Sequence, residues 1–121
     1  TLRIVDDQIG APTWAHSIAL ATRKIIEKCL RDGVEPSPSG VFHLTCQGQS
    51  SWHDFAKEIL NISSTSQNTQ LLPIPTSEYS TPATRPLYSL LSNDKLEKVF
   101  GFKMPYWNDA LKDCMHSKIK N

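Results

Sequence analysis

Two short stretches concentrate the residue types that recognise charged ligands. Residues 6–13 read Asp6-Asp7-Gln8-Ile9-Gly10-Ala11-Pro12-Thr13, which packs two carboxylates, an amide, a glycine and a proline into one turn just ahead of a helical pattern. The free N–H groups of a helix start suit anions, and Gly10 permits close approach of backbone to a ligand. An ordinary strand-to-helix turn with a capping threonine uses the same residues, and turn chemistry alone favours that simpler reading. In residues 82–89, Pro82-Ala83-Thr84-Arg85-Pro86-Leu87-Tyr88-Ser89, one arginine stands between two prolines. The prolines limit the freedom of the segment, so Arg85 is held ready to grip a carboxylate or a diphosphate with two N–H groups at once. An ion pair with a neighbouring acid is the competing outcome.

Other chemistries lack their residues. A dinucleotide site needs closely spaced glycines, so that backbone can approach the pyrophosphate at a helix N-terminus. Gly10, Gly33, Gly40, Gly48 and Gly101 are too scattered for this, and no phosphate-binding loop is present. A reductase that protonates its substrate from a tyrosine needs a lysine four positions further along the same helix face. Tyr79, Tyr88 and Tyr106 have Ala83, Ser92 and Ala110 there, so no catalytic residue is expected in this chain. His16, His43, His53 and His116 form no His-Glu-x-x-His or paired Cys/His motif, and no metal site is expected. Cys46 with His43 is a weak nucleophile pair without an orienting third group. Trp14, Trp52 and Trp107 recur with other apolar residues at helical spacing, which points to packing rather than ligand stacking. Trp14 is a minor exception, because it follows the turn at Gly10 and Pro12.

The elements that must hold these segments follow from periodicity. Residues 2–5 have strand composition. From Trp14 the apolar residues Ile18, Ala21, Ile25 and Cys29 fall on one helical face, with Thr13 as N-cap and Gly33 as stop. Residues 40–45 have strand composition, and a second helix starts at Ser50 or Ser51. There Ser51-Trp52-His53-Asp54 has the form of an acidic capping box, and Trp52, Phe55, Ala56, Ile59 and Leu60 make the buried face. Residues 70–74 form an edge strand around Pro73. Residues 76–91 form a long loop, of the length usually reserved for function. Two helices close the chain: Ser92 caps the first, which carries Leu96, Val99 and Phe100 and stops at Gly101, and Pro105 begins the second. The expectation is an α/β domain of about three short strands and four helices, without a complete nucleotide-binding sheet.

Composition narrows the partners. The 121 residues suit one domain with a modest core. Thirteen basic and twelve acidic residues, net +1 and without long runs of one sign, give no electrostatic footprint for nucleic acid. No stretch approaches the roughly 18 consecutive apolar residues of a membrane span. Cys29, Cys46 and Cys114, odd in number and widely spaced, fit reduced thiols in a cytoplasm. Thr1 opens directly into a strand-like run, which reads as a fragment cut from a longer chain.

Residues 5–13, the Gly40-Val41-Phe42-His43-Leu44 run, Ser51-Trp52-His53-Asp54-Phe55-Ala56, and Pro82-Ala83-Thr84-Arg85-Pro86 with Ser89 and Lys95-Leu96 come in an order and spacing that resembles the C-terminal section of dTDP-4-dehydrorhamnose reductases. That family consists of extended short-chain dehydrogenases/reductases. The resemblance implies a single C-terminal sugar-nucleotide-binding domain over residues 1–121, with the Rossmann half absent. It implies that the parent chain reduces dTDP-6-deoxy-L-lyxo-4-hexulose to dTDP-L-rhamnose, using NADPH or NADH bound by its own N-terminal Rossmann domain, while the fragment alone is inactive. The dTDP-sugar would meet Asp7, Gln8, Gly10, Pro12, Thr13 and Arg85, with Arg85 on the diphosphate. Some members dimerise around magnesium held by glutamates near the start of the first helix and near the chain's end. Those places hold His16 and a residue close to Ser117, so no magnesium is expected and a homodimer is left open. The alternatives are a non-catalytic regulatory subunit, related to that of methionine adenosyltransferase, and a reductase or epimerase for another sugar nucleotide.

Overall fold

The computed structural model describes residues 1–32, 38–63 and 68–117. Strand β1 (Leu2–Val5) leads through a turn into the two-residue strand β2 (Ile9–Gly10) and then helix α1 (Ala15–Asp32). Strand β3 (Ser50–Ser51) runs straight into α2 (Trp52–Ile62), followed by β4 (Leu71–Ile74), a single 3₁₀ turn at Thr76–Glu78, α3 (Asp94–Phe100) and α4 (Trp107–His116). The strands form two separate pairs. β1 and β4 are parallel with Leu2 opposite Leu71 and Val5 opposite Ile74, while β2 and β3 are antiparallel with Ile9 opposite Ser51. The expected α/β architecture with four helices is present.

The core lies where α1 meets α3. Ala21, Leu96, Phe100 and Met104 are buried together, and Ile25, Cys29, Phe42, Leu44, Val99 and Phe102 pack around them. α3 is short but well ended. Gly101 adopts a left-handed φ of 74°, its N–H returns to the carbonyl of Glu97, and Lys28 Nζ donates to the carbonyl of Phe100 from α1.

Residues 40–45 do not form the expected strand. Phe42 and Leu44 are half-buried while Val41 and His43 are exposed, so the side chains alternate as a strand's would. The backbone groups are taken by side chains instead of a ladder. Asn93 Oδ1 accepts the N–H of Thr45 at 3.2 Å, Asn93 Nδ2 donates to the carbonyl of Thr45 at 2.6 Å, and Lys95 Nζ donates to the carbonyl of Val41 at 2.8 Å. These bonds satisfy both backbone groups of Thr45 and the carbonyl of Val41 without a neighbouring strand.

Helix boundaries differ in detail. α1 begins at Ala15 and Thr13 does not cap it; its hydroxyl donates to the carbonyl of Ala11 at 2.9 Å and accepts the N–H of Cys46 at 3.0 Å. The expected stop at Gly33 lies outside the described residues. Ser92 stands two residues ahead of α3 and still accepts the N–H of Asp94, at 3.1 Å. α4 begins at Trp107 rather than Pro105, because Gln47 bridges Pro105 and Trp107 through backbone bonds of 2.9 and 3.1 Å and holds that stretch extended.

Candidate functional site

The turn after β1 is fastened at both sides. Asp7 accepts the N–H of Thr76 at 2.9 and 3.0 Å and the hydroxyl of Thr76 at 2.5 Å, which ties the turn to the end of β4. These bonds stabilise the ionised carboxylate and hold the Asp7 pKa below its ordinary value, the Thr76 hydroxyl contributing most. Gln8 Nε2 donates to the same hydroxyl oxygen at 3.1 Å. On the other side the residue 76–91 loop comes back to lie beside β2. Ile9 N–H bonds the carbonyl of Leu87 at 2.8 Å, and Ser89 N–H bonds the carbonyl of Ile9 at 2.9 Å.

That return pairing brings the two sequence-selected segments together. One cleft of about 340 Å³ is lined by Gln8, Gly10, Pro12, Ser51, Trp52 and Arg85, among others. A neighbouring cleft of about 600 Å³ adds Arg3, Val5, Tyr79 and Thr81, and shares Gln8, Trp52 and Arg85 with the first. Both volumes fall within the range of small-ligand sites. Arg3 is occupied by an ion pair with Glu78. Arg85 is exposed and makes no hydrogen bond or ion pair with any described residue. The competing outcome, an arginine spent on a neighbouring acid, is not what the described residues show.

Gln8, Gly10, Pro12 and Arg85 therefore line the shared groove. Asp7 and Thr13 do not; Asp7 holds the turn to Thr76, and Thr13 joins it to the segment at Cys46. Cys46 is buried, which pushes its thiol above the ordinary range against the weaker lowering effects of the Trp14 backbone and the Thr13 hydroxyl. A thiol so disposed is a packing residue, not a nucleophile.

Trp52 is the residue that periodicity misplaced. It is 58% exposed and lines both clefts. Phe55 of the same face does pack, its ring 6.1 Å from that of Trp107. Helical spacing puts both on one stripe, but Trp52 is the first residue of α2 and projects past the packed body. Its place directly after a capping serine was the available signal. Ser51 caps the helix as expected, accepting the N–H of Asp54 at 3.0 Å, and donates its own proton to Asp6 at 2.6 Å. Asp6, His53 and Asp54 thereby meet, a grouping that no local motif announces.

The positive-φ glycines Gly40, Gly48 and Gly101 lie in separate turns, none at the start of a helix that follows a strand. The N-terminus of α2 is already occupied by Ser51 and two aspartates. Among the described residues, no helix is long and apolar enough to cross a membrane.

Comparison with known proteins identifies the family of the chain. A dTDP-4-dehydrorhamnose reductase of Burkholderia thailandensis is 40% identical over 98% of this chain and 42% of its own length. The crystal structure of the dTDP-4-dehydrorhamnose reductase of Clostridium acetobutylicum superposes with a TM-score of 0.80 at 36% identity, covering 94% of this chain and 37% of that one. That of Bacillus anthracis, in complex with NADP, gives a TM-score of 0.76 at 30% identity over 92% of this chain and 36% of its own. The chain thus spans about two fifths of the length of the relatives it matches. The model of the RmlD substrate binding domain matches residues 1–119, and with the likeness of sequence and fold this places the chain in that family.

Proposed function

We propose that residues 1–121 form the single sugar-nucleotide-binding domain of a dTDP-4-dehydrorhamnose reductase. The parent reaction would transfer hydride from NADPH or NADH to the C4 carbonyl carbon of dTDP-6-deoxy-L-lyxo-4-hexulose and a proton from an acid of the parent chain to its oxygen, giving dTDP-L-rhamnose and NADP⁺ or NAD⁺. The observation that carries this reading is the free guanidinium of Arg85, which lines both clefts and shares one of them with Gly10. A diphosphate beside Arg85 would take two charge-assisted hydrogen bonds from it, leaving one cleft for each end of the molecule. The exposed indole of Trp52 offers a flat face to a pyrimidine or a hexose ring. Gln8 supplies an amide already oriented by Thr76.

In this reading the cofactor and the catalytic groups belong to the remainder of the parent chain. The free thiols Cys29, Cys46 and Cys114 suit the reducing cytoplasm in which such a parent would work. Calorimetric titration of the chain with dTDP, dTDP-L-rhamnose, UDP and UDP-glucose tests the assignment. Binding of the dTDP compounds in preference to the UDP compounds supports it. Equal binding of both series favours a reductase or epimerase for another sugar nucleotide, and no binding of either removes the proposed groove.

A further inference from the structure

We propose that Asp6, His53 and Asp54 form a binding site for a first-row divalent transition metal, with zinc as the reference ion. The residues come from two elements: Asp6 from the turn after β1, His53 and Asp54 from the first turn of α2. His53 Nδ1 lies 3.7 Å from Asp6 Oδ1 and 3.8 Å from Asp54 Oδ1, and one ligand atom from each residue lies within 4.8 Å of the others. A metal with bonds of about 2.0–2.2 Å to nitrogen and oxygen holds neighbouring ligands roughly 3–4 Å apart. Small side-chain rotations close the remaining gap.

The donors are positioned before any ion arrives. The His53 side chain is only 16% exposed, so its ring has one principal orientation. Ser51 organises both acids, donating its hydroxyl proton to Asp6 Oδ1 and accepting the backbone N–H of Asp54. The Asp6 and Asp54 side chains are 48% and 61% exposed, which leaves an open side for entry and for water ligands.

Charge provides the independent argument. Among the described residues, neither Asp6 nor Asp54 has a lysine or arginine within ion-pair distance, and His53 is the sole titratable partner of each. Two carboxylates and one imidazole converging on one point offer a divalent cation two oxygen donors and one nitrogen donor. The imidazole selects against magnesium and calcium, which prefer oxygen alone, and in favour of zinc, cobalt or nickel. The positive end of the α2 dipole opposes the cation, so the site is expected to be weaker than the same three ligands away from a helix start. The site does not use Arg85 and stands or falls separately from the sugar-nucleotide reading.

The test is titration of the metal-free chain with Co²⁺ followed by visible absorption, and with Zn²⁺ by calorimetry. One saturable site is expected, weakened at least about tenfold by His53→Gln and by Asp6→Asn, unchanged by His16→Gln and His43→Gln, and not displaced by millimolar Mg²⁺. In the unsubstituted chain, Zn²⁺ should shift the His53 ring resonances before those of the other histidines, a readout independent of how the variants fold. Absence of saturable binding, undiminished binding in a folded His53→Gln variant, or shifts confined to other histidines would each overturn the proposal.

Discussion

A methyl group placed on Gly10 would stand 3.0 Å from the side-chain oxygen of Ser89. The two residues sit on chain segments joined by the Ile9–Leu87 and Ile9–Ser89 backbone bonds, so the absent side chain of Gly10 sets how closely the arginine-bearing loop approaches the turn after β1. Close approach rather than backbone freedom explains this glycine, which is not among the positive-φ residues.

Gly10→Ala should accordingly weaken nucleotide binding several-fold with little change in far-UV circular dichroism, because the Ser89 hydroxyl can swing aside only partly. Gly10→Ala combined with Ser89→Ala should recover most of that loss. A double-mutant cycle on dTDP affinity is expected to give a coupling energy of about 0.5–1 kcal/mol. Strict additivity would show that the two side chains do not meet.

Arg85→Ala removes a guanidinium that makes no hydrogen bond or ion pair with any described residue, so thermal stability should stay within about 0.5 kcal/mol of the original chain. Binding of dTDP should fall about tenfold or more, the cost of losing charge-assisted hydrogen bonds of roughly 1.5–3 kcal/mol. Arg85→Lys should recover only part of it, since an ammonium lacks the planar fork. Isothermal titration and a melting curve on the same samples check both halves of this statement.

The bonds from Thr76 make the folded Asp7 carboxylate hold its proton less tightly than the unfolded one, whose ordinary pKa is 3.8. The unfolded chain therefore binds more protons in the window below that value. The stabilisation is complete above it and is lost as pH falls through the lowered folded pKa. Melting temperature should drop more steeply between about pH 5 and about pH 3 in the original chain than in Asp7→Asn. Parallel curves would mean that Thr76 does not favour the charged form.

Ser51→Ala removes the cap of α2 and also the hydroxyl bonded to Asp6. Loss of the cap costs about 1 kcal/mol, and the second bond brings the expected total to about 1–2 kcal/mol in urea unfolding. Ser51→Thr should keep most of it. An alanine variant as stable as the original would remove the cap from the account.

What the sequence showed clearly was what depends on near neighbours. The capping of α2 by Ser51 and the stop of α3 at Gly101 are set within a few residues, and both appear as the pattern indicates. The residue types of the groove were also readable, since Gly10 and Arg85 stood out by chemistry alone. Their meeting was not readable from spacing, because it rests on bonds between Ile9 and the distant residues Leu87 and Ser89. Residues 40–45 show the converse. Their composition is that of a strand, but Asn93 and Lys95 take the backbone groups a ladder would have used. Trp52 failed for a third reason, since periodicity counts positions around a helix and says nothing of where the packed body ends.

The parallel pairing of β1 with β4 also sets an order of events. Leu2 pairs with Leu71, so among the described residues the neighbour of β1 emerges only after α1 and α2. The contacts of α1 with α3 come later still. The groove likewise takes shape only when the arginine loop, which follows β4 in the chain, closes on the turn after β1.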